Sequence, residues 1–531
     1  MDPAQVVELH AKRHHKPMDD LIERGDSPVQ QFYSDTTVFV TGGSGFLGKQ
    51  LIEKLLRSCK INKLYLLMRA KNGKTIQERL QRILREPVFD RIRETQPQFV
   101  EKILPLEGDV ADIRLGLNDK DWIKLTEEVQ IIIHEAATVN FNEPLRKATL
   151  INVRGTRETL TLAKSCSQLK KFIHVSTAFT HATLDRINTD IPEKILTPPV
   201  PPDVMIAFAE ETDSQRLDNI TNALIQGWPN TYTFTKVLAE DLIRSSAGDI
   251  PVCIVRPSIV LPSYFEPNPG WLDLHTIMGP SGIALGTGLG VMRVMLSDVN
   301  AYLWVAPVDY VNNATIAAGW DSSERHKDGD TEIPVYYVGT ALKLGLMHVA
   351  LMKEKKVFSS PKTLWYTQLL QIKSKYLYYI LLWFFHLIPA YVMDILWQVL
   401  GKELPKGVSS FVDIYKKMDK LSNIYNYFKF NHWNFEANNI KSMVGRMTES
   451  DKDIFNCDVT NIDLREYSLV LGIGLRKYIL KDELRGTTAA YNKQKIFRIA
   501  HYIGLIIYIS ILWLIFTRAF GLVSRLLMYL S

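Results

Sequence analysis

The sequence has few cysteines and does not cluster them. Its 531 residues include four cysteines and 12 histidines, and no two cysteines form a CxxC pair. Disulfide scaffolds and structural zinc sites need such residues close together in the sequence. We therefore expect no disulfide framework and no metal site, and a reducing compartment fits the scattered thiols. The four positions are Cys59, Cys166, Cys253 and Cys457.

The chain also has little excess charge. Lysine and arginine number 63, and aspartate and glutamate number 57, which leaves a formal net charge of +6 over the whole length. This balance argues against a nucleic-acid partner, because such partners select strongly basic surfaces. With 46% hydrophobic and 23% charged residues, the composition is that of a globular protein and excludes a disordered or collagen-like chain.

Long apolar runs are absent from the beginning of the sequence and present towards its end. Residues 1–33 are polar, lack the apolar stretch of a secretory signal, and are expected to form a loosely ordered leader. Residues 499–516 are 18 consecutive uncharged, mostly apolar residues. A helix of that length, at about 1.5 Å per residue, crosses most of a hydrocarbon core. We therefore predict a transmembrane anchor over residues 497–520.

A second uncharged run of 18 residues covers residues 376–393 and contains His386 and Pro389. A run of this kind can span a bilayer, lie at its surface or pack inside a protein core. We favour a buried or membrane-touching hairpin, with a full span as the alternative.

Short β-branched and apolar runs alternate with helical patterns through the first part of the chain. Such alternation predicts βαβ units and a mostly parallel sheet covered on both faces. The pattern fades near residue 340, which predicts a reductase-type domain over 34–340, a linker over 341–375 and a helical domain over 376–490. The predicted strands are residues 36–41, 63–68, 103–106, 131–134, 171–176 and 252–255.

The first predicted strand runs into a glycine-rich turn, VFVTGGSGFLGK. Gly42 lets the chain turn off the strand, Gly45 lets the backbone approach a pyrophosphate, and Gly48 lets the next helix pack closely. The free N–H groups at the start of that helix then face the phosphates. This context predicts a dinucleotide site, and its expected members are Gly42, Gly43, Ser44, Gly45, Phe46, Leu47 and Gly48.

The end of the second predicted strand lacks the acid that binds the ribose of NAD. The sequence there is LYLLMRAKNGK, so Arg69 and Lys71 stand where that acid is usual. Arginine and lysine suit a 2′-phosphate, which favours NADPH as the cofactor. Asp109 and Val110, after the third strand, are expected near the adenine, although a helix cap is an almost equal interpretation of Asp109.

Tyr232 and Lys236 are four residues apart, which places both on one face of a helix. A phenol has an ordinary pKa of about 10, and a neighbouring ammonium group lowers that pKa by favouring the phenolate. The run HVSTAF supplies Ser176 and Thr177, and one of these hydroxyls is expected to hold the substrate oxygen. Together with the glycine-rich turn, these residues predict a reductase site.

The motifs together resemble extended short-chain dehydrogenase/reductases and, more narrowly, eukaryotic (insect-type) fatty acyl-CoA reductases. The last 150 or so residues resemble the helical male-sterility domain of that family, and the resemblance covers roughly residues 34–520. It implies an α/β, Rossmann-type doubly wound parallel sheet with a helical C-terminal domain and a C-terminal transmembrane helix. It also implies NADPH-dependent, four-electron reduction of a long-chain fatty acyl-CoA to a primary alcohol and free CoA through an aldehyde. The motifs are TGGSGFLG, HEAATVNF, NVRGT, HVSTAF, TYTFTK, IVRPSIV and GPSGIALGTGLG.

The resemblance implies roles for individual residues. Tyr232 is the implied proton donor, Lys236 its activator, and Thr177 the hydroxyl beside it, with Ser176 as the neighbouring candidate. No cysteine nucleophile is needed, and Cys253 is expected to be a small core residue. The residues implied to line the cofactor cleft are Ala136, Ala137 and Asn152, and those implied to border the nicotinamide are Pro257 and Ser258.

The implied partners are a long-chain acyl-CoA and the lipid bilayer. The expected location is the endoplasmic reticulum membrane with a cytosolic catalytic domain, and the peroxisome and lipid droplet are alternatives. A membrane-anchored hydroxysteroid-type dehydrogenase is a competing interpretation, but it usually carries an acid where Arg69 stands. A non-catalytic NADP-binding sensor is a second one, and the intact Tyr232–Lys236 pair argues against it.

Overall fold

The computed structural model describes residues 1–274, 279–401 and 410–530. We number the strands within these ranges in chain order. They are β1 Thr37–Thr41, β2 Lys63–Met68, β3 Ile103–Glu107, β4 Ile131–His134, β5 Lys171–Val175, β6 Asp190–Ile191, β7 Val252–Pro257, β8 Ile259–Leu261, β9 Val294–Leu296, β10 Tyr302–Pro307, β11 Val335–Val338, β12 Thr340–Lys343, β13 Leu370–Ile372 and β14 Asn434–Phe435.

A seven-stranded parallel sheet carries the fold. Its order is β11-β7-β5-β4-β1-β2-β3, and every neighbouring pair is parallel. The order reverses between β1 and β4, and doubly wound sheets bind ligands at the carboxyl ends of the strands beside such a reversal. This topology confirms the predicted Rossmann-type fold.

The sheet separates two apolar layers. Alternate side chains of β1 enter different clusters, with Val38 and Val40 on one face and Phe39 on the other. Strand β1 is buried along its whole length, which explains its nearly continuous apolar sequence. The longer α-helices are Pro3–Ala11, His15–Arg24, Phe46–Ser58, Ile76–Leu84, Asp119–Glu128, Gly155–Ser165, Pro202–Glu211, Ser214–Leu224, Thr231–Ser246, Pro280–Gly288, Val308–Lys327, Leu344–Lys353, Lys375–Leu382, Ile388–Val399, Phe411–Ile424, Asn438–Arg446, Leu464–Gly474 and Thr487–Leu530. The shorter ones are Pro28–Tyr33, Asp90–Thr95, Leu145–Thr149, Lys355–Phe358, Asn426–Phe430 and Glu449–Ile454, and π-helical turns cover Leu150–Arg154, Trp383–Leu387 and Leu475–Leu480.

The beginning of the chain is helical and packed, so the expectation of a loosely ordered leader is wrong. Its first helix starts with a capping box at Asp2, followed by proline at the first helical position. The Asp2 carboxylate also accepts the backbone N–H of Thr487 at 2.9 Å. The hydroxyl of Tyr33, which is fully buried, donates to the carbonyl oxygen of Ile316 at 2.9 Å. Contacts with distant parts of the chain therefore order this segment.

Strand pairings join the C-terminal part of the chain to the sheet domain. β12 pairs antiparallel with β10, β13 pairs in parallel with β9, and β14 pairs in parallel with β6. These pairings cross the boundary predicted near residue 340. Backbone hydrogen bonds between strands therefore connect the C-terminal part of the chain to the reductase-type domain.

Two described helices are long and apolar enough to cross a membrane. We call Thr487–Leu530 the anchor helix, and an 18-residue window within its stretch Thr487–Gly521 has a mean hydropathy of 2.2. The second is Lys375–Val399, in which such a window has a mean hydropathy of 1.7. It is one continuous helix with a π-helical turn at Trp383–Leu387, and only 17% of its apolar window is buried. The expectation of a hairpin over residues 376–393 is therefore corrected to a single helix with an exposed apolar face.

Candidate active site

Gly42 leaves β1 with a backbone conformation that suits glycine. Its φ is +84°, and a Cβ atom there would lie 2.7 Å from the amide nitrogen of Ala136. A Cβ atom at Gly48 would overlap the backbone of Gly43 and Gly42. Glycine is needed at both positions because the ends of β1 and β4 and the first turn of the helix Phe46–Ser58 meet here.

The helix Phe46–Ser58 begins at this turn without a side-chain cap. The N–H groups of its first turn are therefore available to an anion. The N–H of Gly45 donates to the carbonyl oxygen of Gly42 at 2.9 Å and closes the turn. We call this turn and the first turn of the helix the phosphate cradle. A pyrophosphate fits the cradle because the cradle is formed by backbone and its N–H groups point in one direction. The structure thus brings the predicted residues of this turn together: Gly42, Gly43, Ser44, Gly45, Phe46, Leu47 and Gly48.

Arg69 follows β2 and forms an ion pair with Asp109. The distance from Arg69 Nη1 to Asp109 Oδ2 is 2.9 Å, and the Arg69 side chain is 55% exposed. Arg79 donates a hydrogen bond to the carbonyl oxygen of Arg69, and Lys71 is exposed beside it. The other carboxylate oxygen of Asp109 accepts the N–H of Ala111 at 3.0 Å. Cations therefore gather where a 2′-phosphate was predicted, and Asp109 is the partner that such a phosphate would displace.

Tyr232 and Lys236 lie one turn apart on the helix Thr231–Ser246, as predicted. The Lys236 side chain is buried, and its Nζ donates to the carbonyl oxygen of Val175 at 2.8 Å, at the end of β5. The Tyr232 ring is stacked on Phe141, with ring centres 5.9 Å apart. The phenol therefore lies at the carboxyl edge of the sheet with one face covered by an aromatic ring.

Burial dominates the electrostatics of this pair. It raises the pKa of Tyr232 to about 12, while a hydrogen bond with Thr177 acts to lower that pKa. Burial also lowers the pKa of Lys236 to about 8, against the opposing effect of the Glu240 and Glu135 carboxylates. Lys236, whose ammonium group donates to the Val175 carbonyl, is not among the groups that shift the pKa of Tyr232, so the expected lowering by Lys236 is not seen. Tyr232 is therefore a protonated donor at neutral pH.

The two hydroxyls of the run HVSTAF have different surroundings. Thr177 is the one that hydrogen-bonds Tyr232. Ser176 Oγ and Ser258 Oγ are buried and have no hydrogen-bond partner among the described residues. Ser258 follows β7 directly after Pro257, so two unused hydroxyls lie near the carboxyl edge of neighbouring strands. The structure favours Thr177 over Ser176 as the hydroxyl beside the phenol.

The remaining predicted positions divide between the cleft and the scaffold. Ala136 and Ala137 follow β4, and the Ala136 N–H donates to Thr41 Oγ1 at 3.3 Å beside the glycine-rich turn. Asn152 is 1% exposed, and its Nδ2 donates to Thr235 Oγ1 at 2.9 Å. Asn152 therefore links Thr138 to the helix Thr231–Ser246, and its place in the cofactor cleft stays a prediction. Val110 is also buried, in the apolar layer beneath the sheet edge.

Glu135 interacts electrostatically with Lys236 and is not among the residues predicted from the sequence. Both of its carboxylate oxygens are buried and have no hydrogen-bond partner among the described residues. Burial raises the pKa of Glu135 to about 8, although the Lys236 ammonium acts to lower it. The available signal was an ionisable residue directly after a fully buried strand, inside the motif HEAATVNF.

A buried ion pair joins the helix Thr231–Ser246 to the sheet. Arg256 Nη2 lies 2.6 Å from Glu240 Oε2, and both side chains are fully buried. Glu240 is one turn beyond Lys236, and the Arg256 Nη1 donates to the hydroxyl of Tyr337 at 2.6 Å. This pair fixes the helix against β7 and β11, and removing one partner would leave an unpaired buried charge.

An apolar cavity of about 550 Å³ lies beside the site. Its wall includes the helix Pro280–Gly288, which contains most of the run GPSGIALGTGLG. Tyr425 and Phe428 also line it, and both rings contact Phe141, at 5.6 Å and 5.8 Å between centres. Phe141 also stacks on Tyr232, so this one ring links the lining residues Tyr425 and Phe428 to the phenol. Other lining side chains are Met292, Met295, Leu303, Leu351, Ile414 and Met418.

The fold resembles that of solved reductase domains. The terminal R domain from the myxalamid PKS-NRPS biosynthetic pathway aligns with a TM-score of 0.54 and 20% identity over 85% of this chain and 93% of that one. The reductase (R) domain of a nonribosomal peptide synthetase from Mycobacterium tuberculosis aligns with a TM-score of 0.55 and 18% identity over 87% and 99%. At this level of identity, the likeness establishes the fold alone.

Sequence comparison extends over both parts of the chain. Residues 40–315 match a family model for the NAD-binding domain of male sterility proteins, and residues 385–482 match a second male sterility protein model. Fatty acyl-CoA reductase wat of Drosophila melanogaster is 34% identical over 493 residues, which cover 92% of each chain. Fatty acyl-CoA reductase 1 of Homo sapiens is also 34% identical, over 92% of this chain and 93% of its own. Matches of this extent confirm the resemblance seen in the motifs and show that the protein belongs to the fatty acyl-CoA reductase family of oxidoreductases.

Proposed function

We propose that the protein reduces long-chain fatty acyl-CoA to a primary alcohol and free CoA with NADPH as reductant, through an aldehyde. The observation that carries this proposal is the junction of the apolar cavity with Tyr232 through Phe141. An acyl chain lying in the cavity would bring its thioester carbonyl to the phenol. The family of the chain supports the same substrate class.

The residues present fit NADPH. The uncapped helix start at Gly45 suits the pyrophosphate, and Arg69 with Lys71 suits the 2′-phosphate. The buried and unpartnered hydroxyls of Ser176 and Ser258 lie on the nicotinamide side of the cleft in this assignment. When bound, NADPH supplies one hydride for reduction of the thioester to the aldehyde and, in a second round, one for reduction of the aldehyde to the alcohol.

The chain's own residues manage the oxygen of the substrate. The protonated Tyr232 donates its proton to the carbonyl oxygen as negative charge develops there. The Thr177 hydroxyl donates to the phenol in the free protein, and it acts as a second donor when its single proton turns to the carbonyl oxygen of the bound substrate. Lys236 holds its helix to the end of β5 through the Val175 carbonyl and so positions the phenol. The phenolate takes the proton back as the hemithioacetal expels the CoA thiolate. The apolar cavity excludes water and so favours reduction of the aldehyde over its release.

The proposed location is the endoplasmic reticulum membrane with the catalytic part in the cytosol, and the peroxisome and lipid droplet are the alternatives. The two apolar helices support membrane association. The proposed division of the chain is a reductase domain over 34–340, a linker over 341–375, a helical domain over 376–490 and an anchor over 497–520.

The test incubates purified full-length protein with NADPH and acyl-CoAs of graded chain length, and separates the lipid products. We expect a primary alcohol and free CoA, with two NADPH oxidised for each alcohol. A long-chain aldehyde supplied directly should be reduced by the same preparation. Aldehyde as the final product, with one NADPH oxidised for each CoA, would contradict the alcohol-forming reaction.

A further inference from the structure

Five cations surround the first turns of the anchor helix, and we call them the cationic collar. Within the described ranges none of the five forms an ion pair. Several buried cations elsewhere in the chain form ion pairs, as Lys54 and Arg57 do with Glu266, whereas others, such as Lys236, bond a backbone carbonyl. The collar therefore carries positive charge that the described protein does not neutralise. Its members are Arg293, Lys355, Lys493, Lys495 and Arg498.

Aromatic rings and backbone carbonyls, in place of carboxylates, hold the collar. The Lys355 ammonium lies 5.2 Å from the ring centre of Tyr366, and the Arg293 guanidinium lies 5.9 Å from that of Trp365. Trp365 in turn stacks on Phe497 of the anchor helix at 5.6 Å. Such contacts position a cation without cancelling its charge. Burial and then the neighbouring Arg498 guanidinium lower the pKa of Lys355, as expected where like charges lie close together.

The collar borders an exposed apolar surface. Beyond it along the anchor helix, Ile499, Ile503 and Ile506 are each more than half exposed. The helix Lys375–Val399 adds exposed side chains, and its Phe384 contacts Tyr508 of the anchor helix with ring centres 4.5 Å apart. A belt of cations next to an apolar helix pair is the arrangement that proteins place at the headgroup level of a bilayer.

The far end of the apolar cavity opens at the same place. Lys355, Lys495 and Arg498 all line it, together with Tyr491 and Gln494 of the anchor helix. The opposite end is the one that adjoins Tyr232 through Phe141. The cavity therefore extends from the residues that contact Phe141 to the level where the two apolar helices begin.

The chemistry of the cavity wall argues against CoA as the ligand of the collar. CoA phosphates bound there would draw the pantetheine amides through a passage lined by Met292, Leu351 and Met418. Buried amides need hydrogen-bond partners, and the polar side chains of the wall, among them Thr287, His348 and Ser422, are outnumbered by apolar ones. An alkyl chain fits a mainly apolar wall without that cost, which favours an anion from outside the substrate as the ligand of the collar.

We propose that the cationic collar binds the phosphates of anionic membrane lipids and holds the far mouth of the acyl cavity against the bilayer. The tail of a long acyl chain and the finished alcohol then exchange with the membrane at this mouth. The second statement rests on the proposed function, because it takes the cavity to be the acyl site.

The test measures binding of fluorescent phosphatidylserine and phosphatidylcholine to the detergent-solubilised full-length protein. We expect wild-type protein to prefer phosphatidylserine, and the preference to fall as salt is added. The double variant Lys495→Gln/Arg498→Gln should bind phosphatidylserine about 30-fold more weakly, the effect of two cations at a charged bilayer surface. Its affinity for phosphatidylcholine should be unchanged.

Two matched variants separate charge from folding. Lys495→Arg/Arg498→Lys keeps both charges and should keep the lipid preference. Lys164→Gln/Lys441→Gln removes two exposed cations elsewhere that form no ion pair with the described residues, and it should also keep the preference. Equal loss of both lipids in Lys495→Gln/Arg498→Gln would overturn the proposal, since it would show an apolar contact only.

A kinetic measurement distinguishes CoA from lipid as the ligand. In vesicles of phosphatidylcholine and phosphatidylserine, the Michaelis constant is measured for a short-chain and a long-chain acyl-CoA. An equal rise for both in Lys495→Gln/Arg498→Gln, with lipid preference retained, would assign the collar to CoA and overturn the proposal. Failure of the wild-type protein to form any alcohol would instead contradict the proposed function, while the lipid preference would still decide the role of the collar.

Discussion

At the scale of single residues, burial keeps Tyr232 protonated at neutral pH. Its pKa is raised to about 12, and the hydrogen bond with Thr177 only partly offsets that effect. A reductase needs a proton donor at the moment when negative charge develops on the carbonyl oxygen. The environment of Tyr232 suits this role without a lowered pKa.

The first prediction removes the donor. Tyr232→Phe should reduce alcohol formation about 100–1000-fold, because a preorganised donor to the developing oxyanion is lost. NADPH binding, measured by fluorescence titration, should persist, since the phenol does not contact the phosphate cradle. Tyr65→Phe is the matched control, because its hydroxyl bonds Glu128 away from the site. Near-normal turnover of Tyr232→Phe would refute the assigned role.

The second prediction concerns cofactor choice. Arg69→Asp should raise the Michaelis constant for NADPH and improve relative use of NADH, because an attraction for the 2′-phosphate becomes a repulsion and a ribose acceptor appears. The new carboxylate would also face Asp109, the present partner of Arg69. Arg24→Asp, at an exposed helix end, controls for the change in charge. An unchanged NADPH/NADH ratio would place the 2′-phosphate elsewhere.

The third prediction follows from the pKa of Glu135, which burial raises from 4.5 to about 8. Between these two values the folded protein holds a proton that the unfolded chain has released. Stability should therefore fall as pH rises through this window and level off above about pH 8. Glu135→Gln has no carboxyl group to titrate here. The melting temperature of this variant minus that of the wild type should therefore increase from pH 5 to pH 8. Exposed Glu127→Gln should show no such trend, and a pH-independent difference for Glu135→Gln would mean that Glu135 is ionised throughout.

At the scale of elements, the sequence predicts strands that are buried on both faces. It does not predict short strands and helices whose positions depend on contacts with distant parts of the chain. Strands β2 and β4 match their predicted bounds, because continuous apolar runs leave little choice of register. β13 and β14 are only three and two residues long and carry no periodic signal. The N-terminal helices were missed although Asp2-Pro3 and Ser27-Pro28 are helix-start signals.

The apolar cavity was also beyond sequence reasoning. Its wall combines residues from Ile259 to Arg498, drawn from elements far apart in the chain. The motif GPSGIALGTGLG was recognised, but its place in that wall depends on how the C-terminal helices pack. The Tyr232–Lys236 pair was predictable because spacing along one helix fixes it, whereas the effect of burial on its pKa values required the surrounding structure.

The fourth prediction tests a close approach between elements. A Cβ atom at Gly474 would overlap the carbonyl oxygen of Gly270, where the helix Leu464–Gly474 meets the loop after β8. Gly474→Ala should therefore lower the free energy of unfolding by about 1–3 kcal/mol. Gly445→Ala is the matched control, because it is helical and nothing lies within 4 Å of its added methyl group. It should raise that free energy by up to about 1 kcal/mol, and chemical denaturation would measure both.

At the scale of the whole molecule, the phosphate cradle, the candidate site at Tyr232, the cavity and the apolar helices follow one another. The phosphate cradle lies at the carboxyl edge of the sheet, and Tyr232 lies further along the same edge. The cavity leads from there to the anchor helix. A substrate with a polar head and a long apolar tail matches this order of surfaces.

The last prediction concerns how the molecule is held at the membrane. Deleting residues 504–531 removes most of the anchor but keeps Phe497, which packs on Trp365. Part of the protein should remain in the membrane fraction, because Ile380 and Ile395 on the second helix are 65% and 58% exposed. Adding Ile380→Glu and Ile395→Glu to the deletion should release the remaining protein from the membrane. The reason is that a charged side chain near the centre of a membrane helix costs about 2.5–3.5 kcal/mol.

Ile123→Glu/Ile220→Glu alters two other exposed isoleucines, at 54% and 47%, and should change nothing in the fractionation. Protease added to sealed microsomes should degrade the Tyr232-containing part of the wild-type protein, because that part is expected on the cytosolic side. Complete release of the protein by the deletion alone would show that the helix Lys375–Val399 does not bind the membrane. Protection of Tyr232 from protease would reverse the topology and move NADPH supply to the other side of the membrane.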